Sequence, residues 1–215
     1  MGGTVRSAWR IPPIAAASAF AVLTTLVAAR TPAVLRFDLT VSDAARRFTL
    51  GHERWRTLMS IITHSADTWL LSLVGLVSTA ALLLLGQRRA AVFLLTAWAG
   101  TALVRLGVLH LVDRARPVDR LTPAAGWSFP SGHTMSAGIT AGVAIVIVLA
   151  FLPREPLRTA LVVALAGWAV LVGISRVALA AHWPTDVLGG WLLSGAVVSA
   201  LALTRLRPAP CPPAG

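Results

Sequence analysis

Residues 130–152 read PSGHTMSAGITAGVAIVIVLAFL, a short polar head followed by an apolar run that carries no charged residue. A run of about 20 residues matches the ~30 Å hydrocarbon core of a bilayer. The stretch therefore predicts a transmembrane helix over roughly 132–152, with its polar end at one face of the membrane.

Outward from it lie five more runs of similar length, at roughly 12–30, 61–86, 90–112, 157–178 and 185–204. Six spans put both termini on one side. The expected fold is all-α, a polytopic membrane protein built as a six-transmembrane-helix bundle. Its expected limits are one integral membrane domain over residues 1–207, with core motifs within 105–190, and a Pro-rich disordered tail over 208–215.

Composition excludes the soluble alternative. The 215-residue chain is 56% hydrophobic and 13% charged, with mean hydropathy +0.76, too apolar for a soluble domain of this length. All 19 basic residues are arginine, against 8 acidic residues, for a net charge of +11. The arginines are scattered, with no basic stripe interleaved with aromatics, so an anionic lipid or phosphorylated substrate fits and nucleic acid does not. The single cysteine, Cys211, sits in the tail and admits no intramolecular disulfide. The first apolar run follows Arg6 and Arg10 as a signal peptide would, but Arg30-Thr-Pro is a poor cleavage site and a retained anchor is expected.

The turns Gly86-Gln-Arg-Arg89 and Pro153-Arg-Glu-Pro-Leu-Arg158 are short and basic, which assigns them, with both termini, to the cytoplasm. The opposite face receives 31–60, 113–131 and 176–184, and it too is rich in arginine, so the positive-inside rule is only partly obeyed. Between Val41 and Met59 arginines alternate with Val, Phe, Leu and Trp55, which suits either an amphipathic segment on the headgroups or a solvated loop helix.

Polar clusters stand at the ends of the last four spans. Two spans consume nearly all of the 41 residues between His133 and Ser175, so these two emerge on the same face, with Arg116, Arg176, His182 and Asp186. Phosphoryl chemistry asks for guanidinium forks, helix-start amides, a nucleophile and an acid for the leaving oxygen. Ser131 reads as the N-cap of the fourth span and Gly132 permits close backbone approach, so a phosphate there meets orphan N–H groups and the positive helix end. His182 and Asp186 are spaced i, i+4, which would put them on one helical face, the carboxylate holding one imidazole nitrogen and the other free to attack phosphorus. Asp113, Asp119 and Asp186 are too few and scattered for a two-metal cage.

These blocks resemble the type-2 phosphatidic acid phosphatase (lipid phosphate phosphatase) family of the vanadium haloperoxidase superfamily. Pro130-Ser131-Gly132-His133 is present whole, as is Ser175-Arg176 followed after five residues by His182 and after three more by Asp186. Arg116-Pro117 is only half of the remaining block, because Leu109 stands where the family has lysine. The resemblance implies that His182 attacks phosphorus to give a phosphohistidine, Asp186 orients it and His133 protonates the leaving oxygen. It implies that Arg116, Ser131, Gly132 and Arg176 bind phosphate, with no metal or cofactor, at a site facing away from the cytoplasm. Arg114, at the mouth of the third span, or Arg105, one turn before Leu109, would replace the missing lysine, Arg114 having the easier reach. His52 and His64 read as interfacial polar residues, and His110 is ambiguous.

The expected activity is metal-independent hydrolysis of a phosphomonoester or diphosphate of a membrane lipid in the cell membrane. The choice leans to undecaprenyl or another polyprenyl diphosphate. The alternatives are a phosphatidic acid or phosphatidylglycerophosphate phosphatase, a lipid phosphotransferase, and a catalytically weakened protein of the same fold.

Overall fold

A computed structural model describes residues 11–205. Arg6, Arg10, Arg207, Cys211 and the 208–215 tail lie outside the described residues. Eight helices follow in order: α1 (Ile11–Ala28), α2 (Pro32–Gly51), α3 (Glu53–His64), α4 (Thr68–Leu84), α5 (Arg88–Val112), α6 (Gly132–Phe151), α7 (Pro156–Ala178) and α8 (Pro184–Arg205). No strand occurs among the described residues.

Five stretches are long and apolar enough to cross a membrane: Glu53–Leu84, Arg88–Val112, Gly132–Leu149, Pro156–Ala178 and Pro184–Leu203. The pair α1 and α2, bent by 92°, supplies a sixth when counted as one broken span. The all-α, six-span reading therefore holds, with two differences of detail. The span expected at 61–86 is interrupted: α3 ends at His64, α4 begins at Thr68, and Asp67 occupies the N-cap between them. The segment from Val41 to Met59 is neither a loop nor one helix but the end of α2 and the start of α3, parted at His52.

α2 is amphipathic in an unusual sense. Its buried residues are the polar Asp38, Ser42 and Thr49, while Phe37, Leu39, Phe48 and Leu50 are about half exposed. Apolar side chains turned outward suit hydrocarbon or the headgroup boundary. α2 packs against α7 and α8, and Asp38 reaches Thr185 at the start of α8.

The bundle centres on α6, which packs on α7 and α8, while α1 lies along α8. Lipid tails are as apolar as leucine, so helix association here depends on close contact between small residues more than on burial of apolar area. A Cβ at Gly190 of α8 would lie 3.0 Å from the Ser131 carbonyl and 3.0 Å from Thr134 Cβ, so glycine lets α8 press against the first turn of α6. That contact brings Asp186 and His133, at the starts of two neighbouring helices, to one end of the bundle.

Candidate active site

The starts of α6 and α8 and the end of α7 meet at this end. α7 closes in a Schellman turn: Ala181 N–H donates to the Arg176 carbonyl (2.9 Å), Ala180 N–H to Val177 (3.0 Å), and Ala180 adopts a left-handed φ of 50°. His182 follows directly. It precedes α8, so the pair with Asp186 is not carried on one helical face; the turn at Trp183 brings the carboxylate back under the ring, with His182 Nδ1 3.4 Å from Asp186 Oδ2.

Asp186 is fully buried and held from several sides. Its Oδ2 accepts from the Trp183 amide (2.9 Å) and the Ser128 hydroxyl, and its Oδ1 from Arg114 Nη1 (2.7 Å). Arg114 also pairs with Asp38 of α2 and donates to Thr185 Oγ1 (2.7 Å). Asp38 in turn accepts from the Thr185 amide (3.0 Å), capping α8 from a different helix. Three donors thus lock this carboxylate, and Asp38 anchors one of them.

With Nδ1 facing that carboxylate, the neutral tautomer carries its proton there and leaves a lone pair on Nε2. Nε2 accepts from Arg116 Nη1 at 2.8 Å. Burial, reinforced by the guanidiniums of Arg116 and Arg176 and opposed by Asp186, pushes the His182 pKa down to about 3. The imidazole is therefore neutral, as a nucleophile requires. Burial also draws the Arg116 pKa below the ordinary arginine value.

Nε2 opens onto a cavity of about 290 Å³ lined by Thr68, Arg105, Arg116, Pro123, Ala124, Ala125, Gly132, His133, Arg176 and His182. Three guanidiniums share it. Arg116 is braced by the carbonyls of Gly126, Trp127 and Ala181. Arg176 is only 2% exposed; its Nη1 donates to Thr63 Oγ1 (2.6 Å), and its Nε has no partner among the described residues. Arg105 reaches from α5, its Nε donating to the Pro130 carbonyl (3.2 Å) and its Nη2 lying 3.1 Å from where a Gly132 Cβ would be. Glycine at 132 thus keeps backbone and guanidinium in the same small space.

Of the residues singled out from sequence, Arg105, Arg116, Gly132, His133, Arg176 and His182 gather at the cavity. Asp186 lies behind His182. Ser131 caps α6, its Oγ accepting from the Thr134 hydroxyl (3.0 Å) and amide (3.5 Å), and does not line the cavity. Arg114 also stands outside it, bound to two carboxylates and stacked 5.6 Å from the Trp183 ring centre. Of the two arginines offered for the lysine's place, the structure brings Arg105 to the cavity and not Arg114. Residue 105 lies only one turn, ~6 Å, below residue 109, and the start of α6 descends beside it, so a long side chain need not lean far backward.

The sequence reading missed Asp38, Thr63, Asp67, Ser128 and Thr185. Only Asp67 carried a usable signal, an ionisable residue within an apolar run. His52, as expected, stays at the periphery, stacked on Phe48. His64 is also largely exposed, but it is linked to the site: its Nδ1 lies 3.3 Å from Asp67 Oδ2, and Asp67 Oδ1 lies 3.1 Å from His133 Nε2.

Comparison with known proteins bears on the family and the fold. The sequence model of the PAP2 superfamily matches residues 14–208. Phosphatidylglycerophosphatase B of Bacillus subtilis (strain 168) is 34% identical over 170 residues, 77% of this chain and 82% of its own. The protein of that name from Escherichia coli (strain K12) is 42% identical over 74 residues, 34% of this chain and 27% of the other. Among solved structures, a transmembrane PAP2 type phosphatidylglycerolphosphate phosphatase from Bacillus subtilis superposes with a TM-score of 0.74 at 28% identity, covering 89% of this chain and 94% of that one. LpxE of Aquifex aeolicus shares the fold, with a TM-score of 0.58 at 19% identity over 77% of this chain and 94% of its own.

Proposed function

The chain belongs to the PAP2 superfamily and is a multi-pass membrane lipid phosphatase, and from that premise we propose that it hydrolyses a lipid phosphomonoester of the phosphatidylglycerophosphate kind through a phosphohistidine on His182. The observation that carries this reading is the His182 imidazole itself, with Nδ1 toward Asp186 and Nε2 opening onto a cavity that three arginines line.

The phosphate sits among Arg105, Arg116 and Arg176, with the first-turn amides of Gly132 and His133, which have no carbonyl a turn back to bond. Its oxygens take over the N–H that Arg116 gives Nε2. Nε2 then forms a bond to phosphorus as the ester P–O bond breaks, and His133 gives its proton to the departing oxygen. Water attacks the phosphohistidine, passes a proton back to His133, and the N–P bond breaks to release inorganic phosphate. The guanidiniums match charge that spreads over the equatorial oxygens in the transition state.

The substrate choice rests on the relative from Bacillus subtilis, aligned over most of both chains. A lipid diphosphate is the second reading, favoured by open space of about 810 Å³ along Val118–Ala125, beside the cavity, where Arg120 could meet a second phosphate. The short basic turns Gly86–Arg89 and Pro153–Arg158 assign the other end of the bundle to the cytoplasm, so the site is read as extracytoplasmic.

Phosphate release by the purified protein in detergent with EDTA, from phosphatidylglycerophosphate, phosphatidic acid and undecaprenyl diphosphate, tests the assignment. The expected result is the highest kcat/KM on phosphatidylglycerophosphate, undiminished by the chelator. A preference of about tenfold or more for undecaprenyl diphosphate would replace it with the second reading.

A further inference from the structure

We infer that Asp67 is the positioning residue of the acid that protonates the leaving oxygen, and that it fixes which nitrogen of His133 serves that role. The inference rests on the proposed role of His133 and extends it to a residue that none of the motif blocks contains.

Asp67 stands at the interruption between α3 and α4, as the N-cap of α4. An aspartate in that position ordinarily turns its carboxylate onto the amides of the helix it begins. Here it makes no such bond. Its two oxygens go instead to histidines, Oδ1 to His133 Nε2 at 3.1 Å and Oδ2 to His64 Nδ1 at 3.3 Å. The break in a long apolar span thus delivers a carboxylate to the wall of the cavity, and Thr68, the next residue, lines it.

Among the described residues Asp67 is the one carboxylate in reach of His133, while Arg105, Arg116 and Arg176 share its cavity. An imidazole surrounded by three cations holds a proton poorly unless an anion offsets them. The bond to Nε2 also settles the tautomer. Nε2–H stays with Asp67 throughout, so Nδ1 carries the proton that goes to the leaving oxygen and later takes one from water.

In the phosphorylation step, a carboxylate that serves an acid matters only when the leaving group needs a proton. On dodecyl phosphate, whose alkoxide is a poor leaving group, Asp67→Asn should lower kcat about 10–100-fold with KM little changed. On p-nitrophenyl phosphate, whose phenolate departs unassisted, the burst of phenolate that precedes attack by water should slow by no more than about threefold. His133→Asn should show the same split, and adding Asp67→Asn to it should cost nothing further on dodecyl phosphate. Asp67→Ser, which offers the helix an N-capping hydroxyl, should behave as Asp67→Asn and guards against a variant that fails to fold. Equal losses on the two substrates, or none, in folded Asp67 variants beside a His133→Asn protein that does show the split would overturn the role of Asp67 alone. A His133→Asn protein without the split would remove the acid assignment on which the inference stands.

Discussion

The site contains two imidazole–carboxylate pairs of opposite design. His182 and Asp186 are four residues apart, with side chains 1% and 0% exposed. His133 and Asp67 are 66 residues apart on different helices, with side chains 24% and 27% exposed. The first carboxylate is fixed by Ser128, the Trp183 amide and Arg114, itself anchored on Asp38. The second has only two histidines, one of them at the surface. The difference suits the proposed tasks: a nucleophile gains from dryness and from a neutral ring aimed at one point, whereas an acid must exchange its proton with water in every cycle.

The sharpest way to break the contrast is to remove each imidazole. His182→Asn should cost kcat about 10⁴-fold or more on every substrate and abolish the covalent phosphate trapped by acid quench. His133→Asn should cost about 10²–10⁴-fold on alkyl phosphates and leave the trapped phosphate intact with p-nitrophenyl phosphate. If both variants stop phosphoenzyme formation from that substrate, the division of labour between the pairs is wrong.

Next in size is the loss of a carboxylate's anchor. Arg114→Ala leaves Asp38 and Asp186 buried without their cation, and breaking a buried pair in this way costs about 3–5 kcal/mol. Thermal unfolding in detergent should show it as a lowered melting temperature. Arg105→Ala takes a guanidinium from the cavity but no partner from a buried carboxylate, so its melting temperature should stay close to that of the parent. Its inhibition by vanadate, a phosphate mimic, should weaken about 10–100-fold, the worth of a charge-assisted contact. A vanadate constant moved more by Arg114→Ala than by Arg105→Ala would return Arg114 to the phosphate site.

What could be read from sequence follows the same division. Spans are legible because hydrocarbon imposes a length and tolerates few charges, and their ends converge by counting, as with His133 and Ser175. Asp186 was within reach of such reading because its partner lies one turn away. Asp67 is marked in the sequence only as an ionisable residue in an apolar run: a span drawn continuously from 61 to 86 conceals the break between His64 and Thr68, and pairing across 66 positions leaves no periodic trace. Asp38 was hidden by the inversion of α2, where apolar neighbours turn outward and the acid turns in. The presence of Arg105 at the cavity was misjudged for a third reason, since side-chain reach depends on how far α6 descends beside α5, a packing distance that no spacing along the chain encodes.

The smallest expected effect tests the dryness of the first pair. An imidazole in the unfolded chain takes up a proton near its ordinary pKa of 6.5, whereas in the folded protein His182 resists protonation until about 3. Between these values the unfolded state binds more protons than the native one, so stability falls as pH falls through that window and is independent of this group above it. The melting temperature in detergent should therefore drop between pH 7 and pH 4.5, and His182→Gln, which has nothing to titrate there, should drop less over the same interval. The difference between the two slopes isolates His182 from every other titrating group. Parallel slopes would mean that the ring meets water in the folded protein, and the contrast between a dry nucleophile and a wetted acid would lose its physical basis.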